Sequence, residues 1–148
     1  MIEEMVKELL EKNDSFEKNV GSNTKIITAK LNNFAVRKSV FLHESCIAKF
    51  YNDNQKFHLK ISDGGVKSST TKRRLNQILN WYSEYMEKVI GGLYYEDHQI
   101  IQRKGIWYIS CFDEKFPFDL MKDENDWISV NYHVFNSIIN DIFDDQES

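Results

Sequence analysis

The sequence predicts an α+β fold, a mostly antiparallel sheet of about five or six strands with helices packed on it, in the order αββββαββα. Three features carry that reading. Residues 56–62 alternate strictly, with Phe57, Leu59 and Ile61 on one side and His58, Lys60 and Ser62 on the other. That is the period of a strand with one buried face and one wet, basic face. Between residues 71 and 90, Leu75, Ile78, Leu79, Tyr82, Met86 and Val89 recur instead at helical spacing. Finally, 148 residues with 41% hydrophobic content, one proline and six glycines suit a single domain, 1–148, with no room for a linker.

At the start of the chain, Ile2, Met5, Val6, Leu9 and Leu10 form an apolar stripe on a short amphipathic helix. A helix this short is marginal alone and is expected to dock on its own domain. Residues 13–23 read as a polar, glycine-containing loop. Residues 25–31 and 34–42 read as strands around the turn pair Asn32-Asn33, with 45–51 a third strand and 52–55 the turn before the strand 56–62. Gly91-Gly92 should stop the long helix. Arg74, Trp81 and Tyr85 lie on the flank of its stripe, either as the edge of the core or as a place for a base or partner side chain.

Residues 98–102 and 106–112 read as a hairpin across Arg103-Lys104-Gly105. Phe116-Pro117-Phe118 reads as an apolar irregular piece and residues 123–126 as an acidic loop. Residues 130–143 read as a last helix that buries Val134, Phe135, Ile138, Ile139 and Ile142, with the final residues fraying.

The net charge of −4 hides a segregation. Residues 113–148 hold ten acids and two bases, whereas residues 56–74 hold six bases and one acid. Such asymmetry marks two partner surfaces or one internal attraction. Cys46 and Cys111 are too few for a disulfide framework, so a reduced, cytoplasmic setting is expected. Glu3 and Glu4 stand where a signal peptide carries bases, and no apolar run approaches the roughly 18 residues of a membrane helix.

The densest signal lies between Asp63 and Leu79. A strand ends in Gly64-Gly65, the hydroxyls of Ser68, Ser69, Thr70 and Thr71 follow, and a helix opens with Lys72, Arg73 and Arg74. The first turn of a helix is its positive pole and ordinarily carries acids. Three cations there, with free backbone N–H groups and hydroxyls, make a candidate anion site of Gly64, Gly65, Ser68, Thr70, Thr71, Lys72 and Arg74, in which Thr70 or Thr71 caps the helix. The structural alternative has Ser69 to Thr71 capping the helix while Lys72 to Arg74 meet acids from the C-terminal third.

This stretch resembles a pattern, Gly-Gly-x-x-Thr-x-Thr-Thr-Lys-x-Arg-x-Asn-x-x-Leu, found in small proteins of uncharacterised function from phages and mobile elements of low-GC bacteria. Gly64, Gly65, Thr70, Thr71, Lys72, Arg74, Asn76 and Leu79 match it, and Ser68 replaces a threonine. The resemblance extends over residues 23–110 and implies a phage-like origin without an activity.

Other chemistries find less support. His43 and Cys46, with His58 and Cys111 elsewhere, make one loose pair where structural zinc sites use two tight ones. Asp123, Asn125 and Asp126 lack the glycine and terminal glutamate of a calcium loop. No nucleophile stands beside an oriented base, and the glycine loop lacks the spacing and Gly-Lys-Thr/Ser ending of a Walker loop. The expectation is therefore a phage-like accessory protein with no catalytic residues and no cofactor, which binds a host protein such as a CRISPR nuclease effector. Its partner surface would be acidic: Glu114, Asp119, Asp123, Glu124, Asp126, Asp141, Asp144 and Asp145. The alternative is a binder of nucleic acid or a phosphorylated ligand through the glycine loop.

Overall fold

The computed structural model describes residues 2–53, 56–90, 98–111 and 114–130. Helix α1 (Ile2–Glu11) precedes strands β1 (Phe16–Val20), β2 (Thr24–Lys30), β3 (Ala35–Leu42), β4 (Ser45–Asp53) and β5 (Lys56–Ile61). The long helix α2 (Ser69–Ile90) follows, then β6 (His98–Arg103), β7 (Ile106–Cys111) and β8 (Glu114–Pro117). A 3-10 turn, Phe118–Met121, leads to β9 (Ile128–Val130). Six strands form an antiparallel sheet in the order β1-β2-β3-β4-β5-β9, and β6-β7-β8 form a second, three-stranded sheet. The α+β class and a mostly antiparallel sheet of six strands are as the sequence predicts, but the expected strands 98–102 and 106–112 lie in the second sheet, and β1 and β9 complete the first.

Register explains how the large sheet makes a core. Phe16, Thr28, Lys38, Phe50, Leu59 and Val130 lie in one row across its six strands, and Ile26, Val40, Ala48, Ile61 and Ile128 form the next. Both rows face inward, where α1 contributes Val6, Leu9 and Leu10 and α2 contributes Leu75, Ile78, Leu79, Trp81 and Tyr82. Phe50 is the hub. Its ring meets Trp81, Tyr82 and Tyr85 edge-on at 5.0, 6.0 and 5.6 Å. Trp81 and Tyr85 are thus part of the central aromatic cluster rather than an open flank.

A charged residue sits in the middle of this core. Lys38 is 1% exposed, and its Nζ donates to Leu9 O at 3.2 Å and to Lys12 O. These are carbonyls at the C-terminal end of α1, which no further helical turn can satisfy. The ammonium therefore completes the helix end and pins α1 to β3.

Turn chemistry sets the connections. Lys104 and Gly105 carry φ of 53° and 78°, the positive pair of a two-residue hairpin turn between β6 and β7. The β2–β3 connection is longer than the predicted Asn-Asn turn: Leu31 N donates to Ala35 O, and the Asn32 side chain accepts from Phe34 N. Residues 13–23, expected as loop, contain β1. It is an edge strand whose three middle residues are exposed, so it shows no alternation. The irregular piece at 116–118 spans the end of β8 and the start of the 3-10 turn, and β9 takes in Val130, expected as the start of the last helix, with the two residues before it. The Gly91-Gly92 stop and the rest of the expected last helix, from residue 131 on, lie outside the described residues.

Burial pushes the Lys38 amine down to about 8 from an ordinary 10.5, against an opposing pull from Glu11. Between those two values the unfolded chain holds a proton that the folded chain has released, so raising the pH favours the fold there. Wild type should gain about 1–2 kcal/mol over Lys38→Met between pH 7 and pH 10. Denaturant midpoints of the two proteins check this, and midpoints that move in parallel would refute it.

Candidate functional site

The loop between β5 and α2 is built on glycine. Gly64 has a φ of 69°, and a Cβ there would lie 2.9 Å from Ser45 Cβ and 3.3 Å from Ile47 Cγ2. Neither the backbone conformation nor the space accepts another residue. The close approach is made by an irregularity in β4, where the β3–β4 register shifts after Val40. Ile47 O is turned to accept from Ser62 N at 2.8 Å. Gly65, with a φ of 88°, faces open space.

Asp63 is the anchor of the loop. It is 4% exposed, and its Oδ1 accepts from Gly65 N at 2.8 Å. Its Oδ2 lies 2.9 Å from Lys67 Nζ and 3.0 Å from Lys122 Nζ. Both lysines also reach Asp119 Oδ1, at 2.8 and 3.0 Å. Beneath this quartet lies the fully buried ring of Phe118, edge-on to Trp107 at 5.4 Å. Burial alone would raise the Asp63 carboxyl, but hydrogen bonds from Lys67, Gly65 N–H and Lys122 outweigh it and hold the group at about 2.

Helix α2 begins at a cap one to three residues earlier than the sequence suggests. Thr71 N donates to Ser68 Oγ at 3.1 Å, Lys72 N donates to Ser68 O at 3.0 Å, and the hydroxyls of Ser68 and Thr71 are 2.9 Å apart. Ser68 is therefore the N-cap and Thr71 its reciprocal partner, in the manner of a capping box. One turn on, Asn76 Nδ2 donates to Ile100 O at 3.0 Å and Asn76 Oδ1 accepts from Ile100 N at 2.7 Å. A side-chain amide thus pairs with β6 as a neighbouring strand would, and it fastens the small sheet to α2.

A cavity of about 370 Å³ opens between this loop and the β3–β4 turn. Gly64, Ser68, Thr70 and Thr71 line it from the loop, and His43, Ser45 and Ile47 line it from the turn and β4. Four members of the candidate anion site are therefore brought together. The cations are not. Lys72 Nζ donates to Gln102 Oε1 at 3.2 Å, Arg73 is exposed, and Arg74 is buried with its guanidinium on Gln77 Oε1. Burial and the neighbouring Arg73 push Arg74 below its ordinary value, while Glu3 of α1 opposes them. No lysine or arginine is among the residues lining the cavity.

The acidic residues divide three ways. Asp119 belongs to the ion quartet. Glu114, Asp123, Glu124 and Asp126 are exposed on β8 and on the turn before β9. Asp141, Asp144 and Asp145 lie outside the described residues. Among the described residues, an internal attraction between motif and C-terminal third runs through the Lys67–Asp119 and Asp63–Lys122 pairs, and none is formed by Lys72, Arg73 or Arg74. Sequence reasoning missed Asp63 and Asn76. The spacing of Asp63 and Lys67 was a readable signal, since residues four apart can pair across one turn. Among the described residues, no group of three or more histidine, cysteine or acidic side chains is placed to hold a metal, and no helix is long and apolar enough to cross a membrane.

A family profile described as Kyanoviridae Gp96 protein matches residues 1–134, a span that takes in both sheets, both helices and the whole β5–α2 loop. No curated protein and no solved structure matches the chain.

Two experiments probe the loop. Ser68→Ala should cost about 1–2 kcal/mol by removing the cap, whereas Thr70→Ala should be nearly silent in the same thermal melts; equal losses would refute the assignment. Because the Asp63 carboxyl is held near 2 against an ordinary 3.8, it stabilises the fold above pH 4 and loses that contribution as pH falls to 2. Acid titration of wild type should show a loss of roughly 2 kcal/mol across that window that Asp63→Asn does not.

Proposed function

The chain belongs to the Kyanoviridae Gp96 family of phage proteins, and we propose that it works without catalysis, as an accessory protein that binds and inhibits a host protein. The specific form of the proposal is an anti-CRISPR-like inhibitor of a nuclease effector, acting in the cytoplasm of the host cell. One observation carries the reading: the acidic turn before β9 is held rigid by its own hydrogen bonds. Asp123 Oδ1 accepts from Asn125 N at 2.8 Å and from Trp127 N at 3.0 Å. Asp123 N donates to Trp127 O at 2.8 Å, and Asp126 N donates to Asp123 O at 3.1 Å. Those N–H groups hold the Asp123 carboxyl below its ordinary value.

Such a turn presents Glu124 and Asp126 outward with little further ordering required on binding. Pre-ordered charge of this kind raises the association rate and fixes orientation on a basic partner. Sites that normally hold nucleic acid are basic because phosphate contacts dominate them, so a rigid acidic turn suits such a site. Glu114 on β8 adds exposed charge at another point of the surface.

The turn dictates the variant that tests it. Asp123 builds the turn and must be kept, and Asp126, with a φ of 66°, tolerates asparagine better than lysine. Glu124→Lys with Asp126→Asn should leave thermal stability within about 0.5 kcal/mol of wild type. The same double variant should lose, most clearly at low salt, the host protein that wild type captures. A captured nuclease should also be inhibited by wild type and not by the variant. Unchanged capture and inhibition would reject the acidic turn as the partner surface.

A further inference from the structure

We propose that the outer face of the six-stranded sheet is a platform for single-stranded nucleic acid. Helices α1 and α2 both pack on the inner face, so among the described residues no helix covers the outer one. Strand alternation places Arg37 of β3, Lys49 of β4 and Lys60 of β5 on that outer face, with Lys49 and Lys60 directly opposite each other in register. Like charges opposed in this way are unfavourable unless an anion lies between or over them. Among the described residues, no ion pair joins any of the three to a carboxylate. The carboxylates near the face stand at its margins. Glu17, on the edge strand, lies 3.3 Å from Lys25, Asp53 ends β4, and Asp123, which feels the Lys60 charge, sits in the turn before β9.

Aromatic rings interleave these cations. Phe41, Tyr51 and Trp127 are half-buried on the same face. Lys25 Nζ lies 5.3 Å from the Phe41 ring centroid and Lys49 Nζ lies 4.9 Å from that of Trp127. An ammonium resting on a ring occupies the position a base would take, and a stacking base would displace it. Tyr51 and His58 stand opposite each other with centroids 6.2 Å apart and planes tilted by 32°. Burial and Lys60 hold His58 below its ordinary value, so the ring is neutral at pH 7 and offers a flat face.

Arg37 shares a cross-strand row with the Tyr51 and His58 rings, and Lys49 and Lys60 share the next. Cations beside flat rings match the two recurring needs of a single strand: charge for its phosphates and π faces for its unstacked bases. An acidic peptide would use the lysines and leave the rings without a role. A duplex keeps its bases stacked out of reach of the rings. The inference also differs from the glycine-loop reading, because the loop's Lys67, Lys72 and Arg74 are held by Asp63, Gln102 and Gln77, whereas among the described residues Arg37, Lys49 and Lys60 form no ion pair.

Anisotropy with labelled oligo-dT and oligo-U of about 20 nucleotides tests the proposal. Wild type should bind one or both, with affinity falling log-linearly with salt at a slope of about 0.7 per phosphate contacted. Arg37→Glu and Lys60→Glu should each weaken binding at least tenfold without lowering the melting temperature, and Tyr51→Ala should weaken it at least fivefold through lost stacking. Lys115→Glu, an exposed charge change on β8, should leave binding within twofold of wild type. Four results would overturn the proposal: no binding by wild type at low salt, equal binding of a duplex, equal binding of poly-glutamate, or a Lys115→Glu loss equal to that of Arg37→Glu.

Discussion

The structure depends on a buried carboxylate. Asp63 follows the last strand of the first hairpin series and gathers three donors that come from its own loop and from a segment 59 residues further on. A carboxylate this buried is costly unless each oxygen is satisfied, and removing one partner of such a pair typically costs about 3–5 kcal/mol. The need to satisfy it brings Lys122 back to the loop. With Lys122 come the 3-10 turn, the Phe118 ring under the ions, and the path that places β9 beside β5. A single ionised group therefore ties the start of α2 to the far end of the described chain.

The rest of the glycine loop serves the same joint. Gly64 allows the loop to touch β4, Ser68 and Thr71 start α2, and Asn76 reaches the backbone of β6. Leu79 is in the core, and Arg74 is buried against Gln77. Gly64, Ser68, Thr71, Asn76 and Leu79 thus have structural duties at the meeting point of two sheets and a helix. The charge rule that Lys72 to Arg74 break at the helix start is relieved locally, since Lys72 leans to Gln102 and Arg73 points to water.

Residues 56–61 and α2 were legible because burial on one side only writes a strong period into a sequence. The hairpin of β6 and β7 was legible through its Lys-Gly turn. What was hidden depends on partners distant in the chain. β1 is polar in its middle because an edge strand needs little burial, and β9 is too short to show any period. Trp81 looks like a flank on a helical wheel, yet Phe50 from β4 encloses it. For the site, the hydroxyl and glycine positions were readable, but the direction in which Lys72 and Arg74 point was not, because Gln102 and Gln77 compete for them. The ion quartet joins residues 63 and 67 to 119 and 122, a separation no local pattern carries.

Lys38 has a consequence for the order in which the molecule is assembled. Helix α1 precedes every other described element in the chain, and ten residues of helix are marginal in water. Its last carbonyls receive their donor only when β3 has been made and its lysine has turned inward. Its apolar stripe likewise waits for α2, which is complete only at residue 90. A helix made before the partners that secure it is thus a late docker. The amide protons of α1 should accordingly be the first among the helices to exchange with solvent, since what is secured last is released at the least cost.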